Sequence, residues 1–168
     1  MAVVKSVQID GESIHLFNSA IYVFESDSDS FFTLELDLIV SEVVVNKYKK
    51  VDNLILEIEL EDGRLINTIM HVKFLPGGLP QLNLFCELDD IKGFEDLNRG
   101  NDSDSWFPNI EEGITLEEIR KVEMPDEEVR LKLKLPIDQA EWLANQKKAR
   151  LNDLFKEFIY EYWHKTGK

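Results

Sequence analysis

Apolar and polar residues alternate along most of the first half of the chain. Leu54, Leu56, Ile58 and Leu60 fall on one side of an extended segment, with Glu57, Glu59 and Glu61 on the other. Asp62-Gly63 follows, and Ile66, Thr68, Met70, Val72 and Phe74 then continue the two-residue period. An Asp-Gly between two alternating runs marks a β-hairpin, because both residues tolerate the positive φ of a tight turn. The same signal at Asp10-Gly11 pairs residues 3–9 with 13–24. Phe32, Leu34, Leu36, Leu38 and Val40 make a further strand, entered through Ser26-Asp27-Ser28-Asp29-Ser30. After Ser41 the apolar side passes to Val43 and Val45, which predicts a bulge or sharp bend. Pro76-Gly77-Gly78-Leu79-Pro80 reads as a turn, and Leu82, Leu84, Cys86 and Leu88 as the strand after it, so that these strands lie within residues 1–88.

The pattern then changes twice. Residues 89–127 form an acidic, irregular excursion with one short helix expected from Thr115, whose spacing to Glu118 is that of a capping box. Such a stretch is too long for a plain connection inside a compact domain. Val129, Leu131, Leu133 and Leu135 next alternate with Arg130, Lys132 and Lys134, which predicts a last strand over 128–135. Its basic row suits cross-strand ion pairs with Glu57, Glu59 and Glu61, or with Glu35 and Asp37. Beyond Pro136, Asp138 and Glu141 have the spacing of an N-cap and its partner. Leu143, Leu151, Leu154, Phe155, Phe158 and Tyr162 then recur at helical intervals. They predict a helix over 137–164, weakest at Gln146-Lys147-Lys148, with Leu151, Leu154, Phe155 and Phe158 against the sheet.

The expected class is α+β, mainly β. About seven antiparallel strands form a bent sheet or partly open barrel, closed by the long C-terminal helix, in one domain spanning 1–168. This order resembles the pleckstrin-homology-like superfold, which has seven strands and a closing C-terminal helix bearing a tryptophan. The resemblance gives that place to Trp142 or Trp163; it is one of topology, spans nearly the whole chain and rests on no motif. Lipid-binding members of that superfold use basic residues around the first hairpin, where this chain has Asp10-Gly11-Glu12. The resemblance therefore implies a fold and not phosphoinositide binding. The alternative is the helix-grip fold, whose curved sheet holds a long helix around an apolar cavity. That fold has helices directly after its first strand, and none is readable here.

Charge narrows the function classes. With 19 Lys and Arg against 33 Asp and Glu in 168 residues, the net charge is −14, which opposes binding to nucleic acid or anionic lipid and favours a basic partner. No apolar run approaches the ~20 residues that span a bilayer. The first residues, Met-Ala-Val-Val-Lys-Ser, lack the pattern of a secretory signal, and Cys86 has no second cysteine to join. A cytoplasmic protein is the expectation.

Candidate chemistry is sparse. His15, His71 and His164 stand far apart, none at the spacing of a metal site. Asp96, Asn98, Asp102 and Asp104 have the composition of a calcium loop, but an EF-hand needs Gly sixth and Glu twelfth, where this stretch has Asn101 and Phe107. Cys86 shares its phase with Leu82 and Leu84 and reads as a buried thiol. Gly77-Gly78 lacks the lysine and following helix of a phosphate-binding loop, and Lys47-Tyr48-Lys49-Lys50 is too short a basic patch for nucleic acid. DSDSFF at 27–32 and DSDSWF at 102–107 are an echo without matching flanks. No catalytic residue, metal ligand or cofactor is assigned.

The expected function is that of a non-catalytic, acidic interaction module, of inhibitor or immunity type, that binds a basic protein. The alternatives are a binder of a small apolar ligand between sheet and helix, and an enzyme whose residues meet only in three dimensions. A homodimer through the C-terminal helix is a further option. The partner surface is placed on Asp102, Asp104, Trp106 and Phe107, where aromatic anchors lie beside dense carboxylates.

Overall fold

The computed structural model of the chain describes residues 3–26, 31–73, 77–101, 103 and 108–167. It divides into two units, residues 1–126 and 127–168. In the first, Asp10 and Gly11 take φ values of 50° and 83° and join β1 (Val4–Ile9) to β2 (Glu12–Ser13) in the two-residue turn expected there. The return strand is only two residues long. Beyond it the chain leaves β1, and β3 (Asn18–Glu25) pairs instead with β4 (Phe32–Ile39) in a continuous antiparallel register. The second hairpin joins β5 (Asn53–Leu60) to β6 (Leu65–Lys73). Here only Gly63 has positive φ, and Leu60 N–H donates to the Arg64 carbonyl at 2.9 Å, so Glu61, Asp62 and Gly63 form a three-residue loop.

The remaining strands are β7 (Gln81–Leu88) and the short β8 (Asn98–Asn101). All eight form one sheet in the order β2-β1-β5-β6-β7-β4-β3-β8, antiparallel except for the parallel pair β3–β8. The sheet bends until β1 and β3 approach each other without hydrogen bonding, so it stays open. Bending lets one face cover itself. Leu34, Leu36, Leu38, Leu54, Leu56, Ile58, Leu60 and Leu84 line it, all at most 1% exposed. Each such side chain contributes roughly 1.5–3 kcal/mol through burial.

The change of phase after Ser41 is a helix and not a bulge or bend. Ser41 Oγ accepts from Val44 N–H at 3.2 Å as the N-cap of α1 (Glu42–Tyr48), which places Val44, Val45 and Tyr48 against the core. Three successive valines are poor helix formers, so the cap and the burial of one face decide the local structure. The expected helix at Thr115 is present as α2 (Leu116–Val122), with both bonds of its capping box formed. Ile110 and Ile119 pack on Ile39 and so cover the second face of the sheet at β4.

The C-terminal unit differs from expectation in three ways. Residues 128–135 form no strand, and Arg130 pairs with Glu128 two residues away. The helix begins at Ile137 as expected, with Pro136 and not Asp138 at the N-cap, but is broken into α3 (Ile137–Ala144) and α4 (Lys148–Lys165). At the break, Asn145 Nδ2 donates to the Glu141 carbonyl at 3.0 Å and Gln146 Nε2 to that of Trp142 at 3.3 Å, which helps to satisfy the last carbonyls of α3. Finally, α3 and α4 bury no residue within their own unit: of the residues expected to be covered, Leu151 is half-buried and Leu154, Phe155 and Phe158 are exposed there.

Candidate functional site

Asp102, Asp104, Trp106 and Phe107 lie outside the described residues. Three other places in the chain hold candidate groups: the outer face of the sheet, a polar cluster on β4, and the C-terminal unit.

On the outer face, the expected row of glutamates on β5 is solvent-facing and partly paired: Glu59 accepts from Lys5 at 2.6 Å and from Ser6 at 3.1 Å. His71 is exposed and lies against the Phe85 ring, while His15 lies against Phe17 and His164 against Tyr160 and Trp163. Asp96 is held by Arg64, whose guanidinium also reaches Asp62, so the run once compared with a calcium loop spends this carboxylate on an ion pair. Among the described residues no group of three His, Cys, Asp or Glu side chains could hold a metal ion. Cys86 is half-buried, with Thr68 Oγ1 at 3.6 Å from its sulfur, and burial raises the thiol pKa above its ordinary value.

Glu35 and Asp37 are the groups that reading by alternation misplaced. They occupy the polar side of β4, yet both are buried. Asp37 accepts from Asn83 Nδ2 at 2.7 Å and from the Tyr22 hydroxyl at 3.0 Å. Glu35 accepts from Thr33 Oγ1 at 2.9 Å and faces Lys73 Nζ at 3.9 Å. Burial raises the pKa of both carboxyls, against the opposing pull of these donors. Burial likewise pushes the Tyr22 phenol upward, reinforced by the nearby Asp37 and Glu35 charges. Each of the four carboxylate oxygens faces a donor. The cluster therefore gives these buried carboxylates polar partners on the strand and its neighbours.

The C-terminal unit has the opposite character. It spans a quarter of the chain, residues 127–168, but carries 13 of the 21 large apolar side chains that the described residues expose. Among them are Phe158 at 63%, Ile159 at 57%, Tyr162 at 62% and Trp163 at 54%. The rings of Phe158 and Tyr162, one turn apart, stack at 6.3 Å. The extended segment, α3 and α4 enclose a groove of about 890 Å3, lined by Leu131, Leu133, Leu143, Leu151, Phe155 and Ile159 among others.

Charge is divided just as unevenly. Residues 127–168 hold 9 Lys and Arg against 7 Asp and Glu, a net +2, while residues 1–126 hold 10 against 26, a net −16. The helical stripe of α4 was legible in the sequence; its exposure was not, since periodicity shows an apolar face without showing what covers it. No helix among the described residues is long and apolar enough to cross a membrane. Comparison with protein-family models, curated proteins and solved structures finds no match for this chain.

Proposed function

We propose that the protein is a non-catalytic binding module that holds a protein partner on the apolar face of its C-terminal unit. The observation that carries this reading is the concentration of exposed Leu, Ile, Phe, Tyr and Trp side chains in residues 129–163. Contiguous exposed apolar surface of this kind marks interaction sites, and aromatic side chains dominate binding energy where they become buried. The acidic first unit adds discrimination: its net −16 repels nucleic acid and acidic proteins and favours a basic surface, as an inhibitor or immunity-type module would require. The resemblance to pleckstrin-homology-like domains adds nothing to this reading, because Lys47, the basic residue at the first hairpin, is engaged by Glu12.

The test is photo-cross-linking in the source cell from a benzophenone side chain placed at position 158, with position 57 on the sheet as control. A discrete polypeptide adduct from 158 and none from 57 is the expected result. Failure to form any adduct from 158 would remove the reading.

A second reading, a small apolar ligand, is favoured by the size of the groove. Its volume of about 890 Å3 falls within the range of ligand sites. A saturable aliphatic ligand whose binding is lost on Leu143→Asp would establish that reading instead.

A further inference from the structure

We infer that the groove of the C-terminal unit holds a free, single-chain amphiphile with an anionic head. This rests on the apolar-ligand reading above and names the ligand. Phe158, where the protein partner is tested, does not line the groove, so the two sites do not compete for that side chain.

The apolar part of the lining sets the chain. Leu151, Phe155 and Ile159 follow one another at intervals of four along one side of α4. Leu143, which is half-buried like Leu151, joins them from α3, and Leu131 and Leu133 from the segment before it. Apart from Phe155 these groups are aliphatic, and none of their side chains can hydrogen-bond. They suit a flexible hydrocarbon and not a polar or planar ligand.

The polar part sets the head. Among the described residues it consists of Glu127, Lys134, Asn152 and Lys156, all exposed to the solvent that a charged head needs. Asn152 and Lys156 stand one turn apart on α4, directly beside the Leu151–Phe155–Ile159 row. Of the alternating Arg130, Lys132 and Lys134, only Lys134 lines the groove. Two ammonium groups therefore stand against the one carboxylate of Glu127, and among the described residues none of these three is engaged in an ion pair. The excess of cation runs against the rest of the chain. A net charge of −14 repels an anion, so a preference for an anionic head has to arise locally, at these lysines.

The test is isothermal titration calorimetry of the full chain at neutral pH with dodecanoate and with dodecanol, each below the concentration at which it self-associates. Circular dichroism checks the folding of every variant. Without the lysines the alcohol would bind better, because an uncharged head costs less to desolvate. The wild type is expected to bind dodecanoate roughly fivefold more tightly than dodecanol. The double exchange Lys134→Glu with Lys156→Glu is expected to reverse that order, and Leu143→Asp to abolish binding of both. Dodecanol bound as tightly as dodecanoate, or more tightly, overturns the inference and leaves the apolar-ligand reading standing. A preference for the acid that survives the double exchange does the same. Binding of neither compound, or binding indifferent to Leu143→Asp, ends both, and the cross-link from position 158 then decides the protein-partner reading alone.

Discussion

Residues 54–60 and 129–135 carry nearly the same pattern and meet opposite fates. In the first, Leu54, Leu56, Ile58 and Leu60 are at 0% exposure; in the second, Val129, Leu131, Leu133 and Leu135 are at 75, 69, 61 and 39%. Local chemistry does not separate them, since both alternate an apolar with a charged side. The difference lies in pairing: β5 is hydrogen-bonded to β1 and β6, while 128–135 belongs to no strand. Alternation specifies that a segment has one apolar side, and what covers that side is decided elsewhere in the chain or in another molecule.

The largest effect expected from this contrast is on stability. Leu56→Ala should cost about 2–5 kcal/mol in urea unfolding, the usual loss for a large residue cut back in a packed core. Leu131→Ala should stay within about 0.5 kcal/mol in the same assay at concentrations where the chain is monomeric. Comparable losses at the two positions would show that 129–135 has a cover within its own chain.

A smaller effect is expected on the outer face of β4. Asp37→Ala removes the acceptor of the buried Asn83 amide and should cost about 1–3 kcal/mol. Asp37→Asn isolates the titration. Because burial raises the Glu35 and Asp37 pKa values in the fold, the native state holds these protons more tightly than the unfolded chain. Their contribution is complete below the ordinary carboxyl pKa of about 4 and is lost as pH rises through the elevated folded values. Unfolding midpoints followed upward from pH 4 should therefore fall more steeply in the wild type than in Asp37→Asn. Parallel curves would show that Asp37 does not titrate in that window.

The smallest effect is expected at Arg64. It makes a two-pronged contact with Asp96 and also reaches Asp62, yet all three side chains face solvent. Arg64→Ala should leave the unfolding midpoint unchanged within error, because exposed ion pairs are screened and cost side-chain freedom. A clear drop would mark this loop as coupled to the sheet.

Much of the sheet was readable because its signals are local. Asp10-Gly11, Asp62-Gly63 and the Thr115–Glu118 capping box each act within a few residues, and each is present. Ser41 was missed for a different reason. It is an N-cap, but the valines behind it speak for a strand, and α1 exists because Val44, Val45 and Tyr48 find a core to enter. Glu35 and Asp37 were read as surface charges because an alternating strand ordinarily has a wet side. At Ile39 that side is covered by Ile110 and Ile119, which come from far along the chain. The candidate partner face was half legible: its apolar stripe is in the spacing of α4, while the choice between core and interface depends on contacts that no local pattern encodes.

The double cover of β4 has a consequence in time. With β3 and β7 bonded along its edges and packing on both faces, β4 has no side from which water can enter. Its amides can exchange with solvent only when the whole unit opens, at rates that report the global unfolding free energy. Those of α4, whose side chains are at most half-buried, are released by local fraying of a single helix. In deuterated buffer the two ends of one molecule would keep different clocks.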